Sequence, residues 1–385
     1  MQSSDDADKV GLIIDGREHR DWERYEVDSD LLTPADGWRV SLGLPAPTDG
    51  QALPEYVRPW APVTLTLGGQ VILRGRLDSM ETDVAKDAHT LSLSGRDLAG
   101  VLVDCSAPVF SARQCGLDEI VAKMVRPLGI TSIKVEAGTA RHDKISVDPG
   151  MTAWDALERV CEQNGCWPYF APDGTLVIGG PDYTDATNPP VGQLTVRASG
   201  QDGGKGNNVL RLVERRGVQE RYSEVTVLGQ GHGTESAEGA HNIRATAKDS
   251  AADAPVNRPK IVVEADCETT GHAQRRARKI VADGKLAAYE IHASVRGHRV
   301  LGAIGASGLA PLWTPGQRVR VVSEPHGISG VYYLMRRTFL CGRGQGQITE
   351  LALKPDGLWQ PDVSHHKRHK RKAGAGAGAG GIVDL

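Results

Sequence analysis

The sequence predicts an α+β fold that is mainly β: two similar small β-barrel domains separated by an α+β domain, with a flexible C-terminal tail. Three observations lead there. Alternating apolar and polar runs punctuated by glycine fill roughly the first hundred residues and return after residue 207, the period-2 signature of half-buried strands. Between them the apolar residues recur at helical spacing. Finally, PGQRVRVV, GVYYLMRRTFL and GQITELALKPDG repeat an order already set by APVTLTLGG, QVILRGRLDSMETD and HTLSLSGRD: strand, turn, long strand, short connection, strand. The expected layout is a flexible N-terminus at 1–8, a first β-barrel domain at 9–110 and an α+β insert at 111–190. A second β-barrel domain with one helix follows at 191–358, then a basic, Gly/Ala-rich tail at 359–385.

In the first domain, residues 10–14 are apolar and residues 38–42 alternate. Val63, Leu65 and Leu67 share one side of a strand, Gly68-Gly69 supplies a hairpin turn, and Val71 and Leu73 resume the pattern. Gly75 inside the second run marks a bulge or a close backbone approach, as a curved sheet requires. The stretch LSLSGRDLAGVLVDCSAP changes period midway: Leu91 and Leu93 are expected to face a barrel interior and Gly95 to permit a bend. Leu98, Val101 and Leu102 are expected to close one barrel end, with Cys105 as a small apolar filler.

In the insert, Leu117, Ile120, Val121, Met124, Val125 and Leu128 predict a helix. Asp118 and Glu119 lie in its first turn and Gly129 ends it. A second helix starts at Thr152 with Asp155 three residues on, and buries Ala153, Leu157, Val160 and Cys161. Short strands are expected at 131–135, 144–147, 167–170 and 175–178. After residue 207 the expected strands are 209–213, 223–228, 260–263, 290–295, 318–322, 331–339 and 347–353. One helix interrupts them, with Ala273, Ala277, Ile280 and Val281 inward and Gly284 as its cap.

Apolar and charged fractions of 39% and 24% are those of a soluble globular protein, so disorder is not the global state. MQSSDDADKV is acidic where a signal peptide is basic, and no apolar run reaches about 18 residues, so cytoplasmic synthesis without stable membrane insertion is expected. Six cysteines scattered over 385 residues read as reduced thiols, without zinc-ligand spacing. A net charge of −3 gives the body no general attraction for nucleic acid.

Catalytic readings are weak. Ser94 lacks the Gly-x-Ser-x-Gly frame of a nucleophile elbow, and Cys105 has no neighbouring His in sequence to activate it. The glycine clusters at 229–233 and 342–346 do not open predicted helices, so they read as interstrand loops rather than phosphate loops. Asp155, Glu158 and Glu162 share one helix, whereas a glycosidase needs acids across a cleft. No catalytic, cofactor or metal residue is assigned. The exception to a bland surface is His365, His366, Lys367, Arg368, His369, Lys370, Arg371 and Lys372, a candidate contact for a polyanion or a partner. Residues 373–381, alternating Ala and Gly, are expected to be flexible.

GRLDSMETD, SGRDLAGVLVDCS, MTAWDALERVCEQNG and PDGTLVI together resemble the baseplate hub proteins of Mu-like bacteriophages. That family is related to phage late control D proteins and to the N-terminal part of type VI secretion spike proteins. The resemblance runs from about residue 9 to 356, and the tail has no match in it. It implies a homotrimer whose six barrels form a pseudo-sixfold ring, joining a hexameric tail tube to a trimeric spike among other baseplate proteins. DNA would transit the ring without sequence-specific binding, in a virion baseplate assembled in the host cytoplasm, with no reaction catalysed. Two readings compete: a tail-tip peptidoglycan hydrolase, and a nucleic-acid-binding protein acting through the basic tail.

Overall fold

The computed structural model describes residues 9–43, 54–86, 88–136, 142–163, 166–179, 189–198, 206–230, 242–264, 267, 269–302, 309–342, 344 and 346–357. The first stretch supplies seven strands: β1 (Val10–Ile14), β2 (Arg17–His19), β3 (Arg24–Asp30), β4 (Gly37–Gly43), β5 (Pro62–Leu67), β6 (Gln70–Ala85) and β7 (Ala88–Asp97). Gly68 and Gly69 both take positive φ, 57° and 81°, which sets the β5–β6 turn to the twist of its strands. The long β6 serves two neighbours, β5 along its first half and β7 along its second, with a register shift between Leu77 and Ser79. Gly75 is a site of close approach: a Cβ there would lie 2.0 Å from the Arg96 carbonyl oxygen, and one on Gly95 would lie 1.9 Å from that of Arg76. Leu91 and Leu93 are buried in the core of this sheet with Leu65 and Leu77.

Next comes an α+β unit: α1 (Ala99–Asp104), β8 (Ser111–Cys115), α2 (Leu117–Val125), β9 (Ile133–Val135), β10 (His142–Ser146), α3 (Ala153–Gln163), β11 (Trp167–Phe170) and β12 (Leu176–Gly179). Leu117, Ile120, Val121, Met124 and Val125 are all buried, and Gly129 ends the turn after α2 at φ 88°. The Asp155 N–H donates to Thr152 Oγ1 at 3.0 Å, so Thr152 caps α3. Leu102 is buried in this unit's core beside Leu117 and Leu157, with Leu98 and Val101 packed against it. These side chains therefore dock the α+β unit rather than close a barrel end, because α1 turns its apolar face away from β7.

The chain then adds β13 (Gly192–Val196), β14 (Arg211–Arg216), β15 (Glu224–Gly229), β16 (Ile243–Lys248), β17 (Pro259–Glu264), α4 (Thr270–Ala288), β18 (Tyr289–Arg296), β19 (Arg318–Ser323), β20 (Ile328–Gly342) and β21 (Gly346–Pro355). β15, β16 and β17 form their own three-stranded sheet, on which α4 lays Ala273, Ala277 and Val281 over Val225 and Val227. Gly284 does not cap α4, which continues four residues further. It is the point where the Glu220 carbonyl oxygen would come within 2.6 Å of a Cβ.

The remaining strands return to the first sheet. β3 pairs with β20 from Asp30 opposite Arg336 to Tyr25 opposite Cys341, so both halves of the chain share one 13-stranded sheet. The two stretches expected to form separate barrels thus share one continuous sheet over one apolar core, running from Val10 to Leu353. The repeat is visible in the pairing. β5, β6 and β7 have 6, 16 and 10 residues and β19, β20 and β21 have 6, 15 and 10. The shift at Leu77/Ser79 in β6 is matched by one at Leu334/Arg336 in β20. Both halves run in one order: β1-β5-β6-β7-β4-β3 and β13-β19-β20-β21-β18-β14.

Candidate functional site

The place where the two halves meet holds a cluster of buried and partly buried polar groups. Arg337, opposite Ser29 in the β3–β20 pair, is 3% exposed and donates from Nη1 to the Val27 carbonyl at 2.8 Å. Its guanidinium lies 3.9 Å from the centre of the Phe339 ring. Burial pulls its pKa down to about 10, against the opposing pull of Asp36 and Asp28. Asp28 and Asp36 lie near it and Asp97 lies beside Asp36, each tied to backbone: Asp28 accepts from the Gly37 N–H at 2.6 Å, Asp36 from the Asp30 N–H at 2.8 Å and Asp97 from the Ala99 N–H at 2.9 Å. Burial pushes Asp36 up to about 7, and raises Asp97 well above the usual carboxylate range with help from the Asp36 charge.

Acids raised in this way are what a hydrolase would use. Here one oxygen of each accepts a backbone N–H, from Gly37, Asp30 and Ala99. The cavity beside them, lined by Asp36, Asp97, Trp154 and Tyr169, measures about 20 Å³, room for roughly one water. The arrangement can hold the β3–β4 turn, the start of α1 and β20 together; it cannot admit a sugar ring.

A second buried chain runs alongside. Thr349 Oγ1 donates to the Gly297 carbonyl at 2.6 Å, so His298 Nδ1 must donate to Thr349 Oγ1 at 2.9 Å. That leaves Nε2 to accept from Tyr25 Oη at 2.8 Å. Burial depresses the His298 pKa to about 3, consistent with this neutral tautomer. Tyr25 comes from β3 and Thr349 from β21, so this chain also spans the two halves.

The segment SGRDLAGVLVDCS is a corner built for docking. Arg96 pairs with Asp78 at 2.6 Å and with both oxygens of Asp104, at 2.9 and 2.5 Å, fixing α1 against β6. Cys105 is half-exposed rather than a filler; its carbonyl accepts from the Ala153 N–H at 2.8 Å and seats α3. Asp155 and Glu158 are exposed on α3. Among the described residues no group of His, Cys, Asp and Glu has metal-binding geometry, and no helix is long and apolar enough to cross a membrane. His365, His366, Lys367, Arg368, His369, Lys370, Arg371 and Lys372, and most of the 229–233 glycine cluster, lie outside the described residues. Arg337, Asp36 and His298 were not found from sequence, because nothing local marks them: the junction that buries them joins residues some three hundred positions apart.

Four family profiles tile the chain. They are Mu phage baseplate assembly protein GpP-like, N-terminal, at 9–97; baseplate hub protein gp44-like, second domain, at 99–180; tail protein NMB1110-like, third domain, at 221–281; and tail protein, C-terminal domain, at 283–358. The baseplate hub protein gp44 of Escherichia phage Mu is 25% identical over 380 residues, covering 94% of this chain and 92% of that one. The crystal structure of the tail protein from Neisseria meningitidis MC58 superposes with TM-score 0.77 at 34% identity, over 92% of this chain and 98% of that one. The 43 kDa tail protein of prophage MuSo2 from Shewanella oneidensis shares the fold, with TM-score 0.75 at 19% identity over 91% and 100%. With the sheet, the corner motif and these relatives in agreement, the chain belongs to the Mu-like phage family of tail baseplate hub proteins.

Proposed function

We propose that the chain works as a structural joint without catalytic activity. Three copies close into a ring of six barrel-like halves that joins a hexameric tail tube to a trimeric spike and leaves a channel for DNA. The observation that carries this reading is the duplication: two halves of identical strand order in one chain, fused edge to edge, turn threefold symmetry into approximate sixfold symmetry. Residues 9–110 and 191–358 supply the halves, the second interrupted by the β15–β17 and α4 unit, while 111–190 decorates the ring. The buried junction supports the joint reading because Arg337 bonds the Val27 carbonyl across the strand pair and the nearby acids bond backbone N–H groups. Native mass measurement with negative-stain images tests it: a trimer with six lobes is expected, and a stable monomer at all concentrations overturns it.

For the basic cluster at 365–372 the proposed role is contact with a polyanion or a baseplate partner, resting on its charge alone. Deleting 359–385 is expected to leave assembly intact and abolish salt-dependent binding to duplex DNA; unchanged binding removes this role.

A further inference from the structure

The sheet has a junction inside the chain and, by its own repeat, the two halves of another. β3 is the last strand of the first half and is covered by β20. Its counterpart in the second half, β14, pairs only with β18 among the described residues. β20 is covered over Arg336–Cys341, whereas the matching part of β6, from Ser79 to Ala85, pairs only with β7. Among the described residues each chain therefore presents one unpaired edge of each kind, and an unpaired edge is a template for another strand.

We infer that β14 of one copy pairs antiparallel with the outer edge of β6 of a second copy, repeating between chains the β3–β20 junction found within one. This rests on the ring reading above and supplies its contact surface. The register follows from the paired shifts. Leu77 and Leu334 occupy the same place: each donates its N–H to, and accepts from, the segment preceding β5 or β19, Trp60 and Ala61 in one half and Gly316 and Gln317 in the other. Across the strands, Leu77 faces the line Gly95, Trp38, Val27, and Leu334 faces Leu353, Ile291, Glu214. Val27 pairs with Phe339, three residues past the Arg336 that follows the shift. By the same count Glu214 meets Thr82, Leu212 meets Val84, Arg215 meets Glu81 and Arg216 meets Met80.

The chemistry of that register was not used to derive it, and it fits. Leu212 and Met80 both pack partly against the main core, so the core faces of the two strands coincide. Val84, 64% exposed in a single chain, gains an apolar partner in Leu212. On the outer face Arg215 lies opposite Glu81, and Asp83 sits diagonal to both Arg211 and Arg215. The internal junction has the reverse polarity: Asp30 on β3 lies opposite Arg336 on β20, with Asp28 and Glu26 further along the same face of β3. Acidic β3 is thus mismatched to acidic β6, and basic β14 to basic β20, which selects head-to-tail pairing over a swap.

Cysteine pairs test the register. Arg215→Cys with Glu81→Cys in one chain, and separately Leu212→Cys with Val84→Cys, replace side chains at partly or fully exposed positions. The two pairs are three residues apart, so one of them occupies the closer, non-hydrogen-bonded site that suits a disulfide. After mild oxidation, at least one double variant should give disulfide-linked dimers and trimers that wild type and the single variants do not. Native mass of unmodified protein is measured in parallel. An assembled wild type with no cross-link in either double variant overturns the pairing and leaves the ring; a wild type that stays monomeric with no cross-link overturns both.

Discussion

At the level of single residues, the buried junction makes opposite demands on acid and base. Asp36 holds its proton up to about pH 7 when folded, but releases it near pH 4 when unfolded. Between those values the folded chain binds the extra proton, so this group's contribution weakens as pH rises from about 4 to about 7, by at most ~1.4 kcal/mol per unit. Asp36→Asn cannot titrate and keeps the acceptor for the Asp30 N–H. Its stability relative to wild type should therefore grow between pH 4 and pH 8 in denaturant titrations; two parallel curves would refute the assignment. His298 has the reverse sign. Its folded pKa of about 3 lies below the unfolded value near 6.5, so stability linked to it is lost as pH falls through that window. Ring resonances of His298 should show no titration between pH 8 and pH 5, and a midpoint near 6.5 would mean that the Tyr25–His298–Thr349 chain is not formed.

At the level of elements, local rules read the helices well and tertiary approach defeats them at glycine. Gly271 and Gly284 both lie in α4, and propensity alone says that alanine at either should stabilise by about 1 kcal/mol. A Cβ at Gly271 meets nothing nearer than 3.8 Å, so G271A should raise the denaturant midpoint. At Gly284 it would meet the Glu220 carbonyl oxygen at 2.6 Å, so G284A should lower it; equal shifts would show that the Glu220–Arg221 backbone does not press on the helix. That approach is invisible in sequence, which is why Gly284 reads as a cap. The same limit hides β3. RYEVDSD offers only Tyr25 and Val27 as a period-2 signal among charges, yet this strand joins the halves. By contrast α2, α3 and the β5–β6 hairpin were legible because their apolar spacing, caps and turn glycines are all local. Of the site, the corner motif was visible as a pattern, while Arg337 and His298 acquire meaning only once β20 lies beside β3.

At the level of the whole molecule, duplication alone does not make a ring. A heterologous contact closes or runs on as a filament according to the rotation it imposes. Charge decides which edges meet, and the pattern makes a prediction independent of cross-linking. Glu81→Arg with Asp83→Arg turns the β6 edge basic and opposes it to Arg211 and Arg215; like charges across a strand pair cost roughly 0.2–1 kcal/mol each, and a closed trimer repeats the cost three times. The variant should shift toward monomer in native mass spectra at low salt, with partial recovery as salt screens the repulsion. Adding Arg211→Glu and Arg215→Glu in the same chain should restore assembly, since the polarity of the contact is inverted and its shape kept. Both edges are exposed in a single chain, so neither set of changes touches the buried junction of Arg337 and its acids. Assembly indifferent to the first pair of changes, or lost in the first and not rescued by the second, would show that β6 and β14 are not opposed.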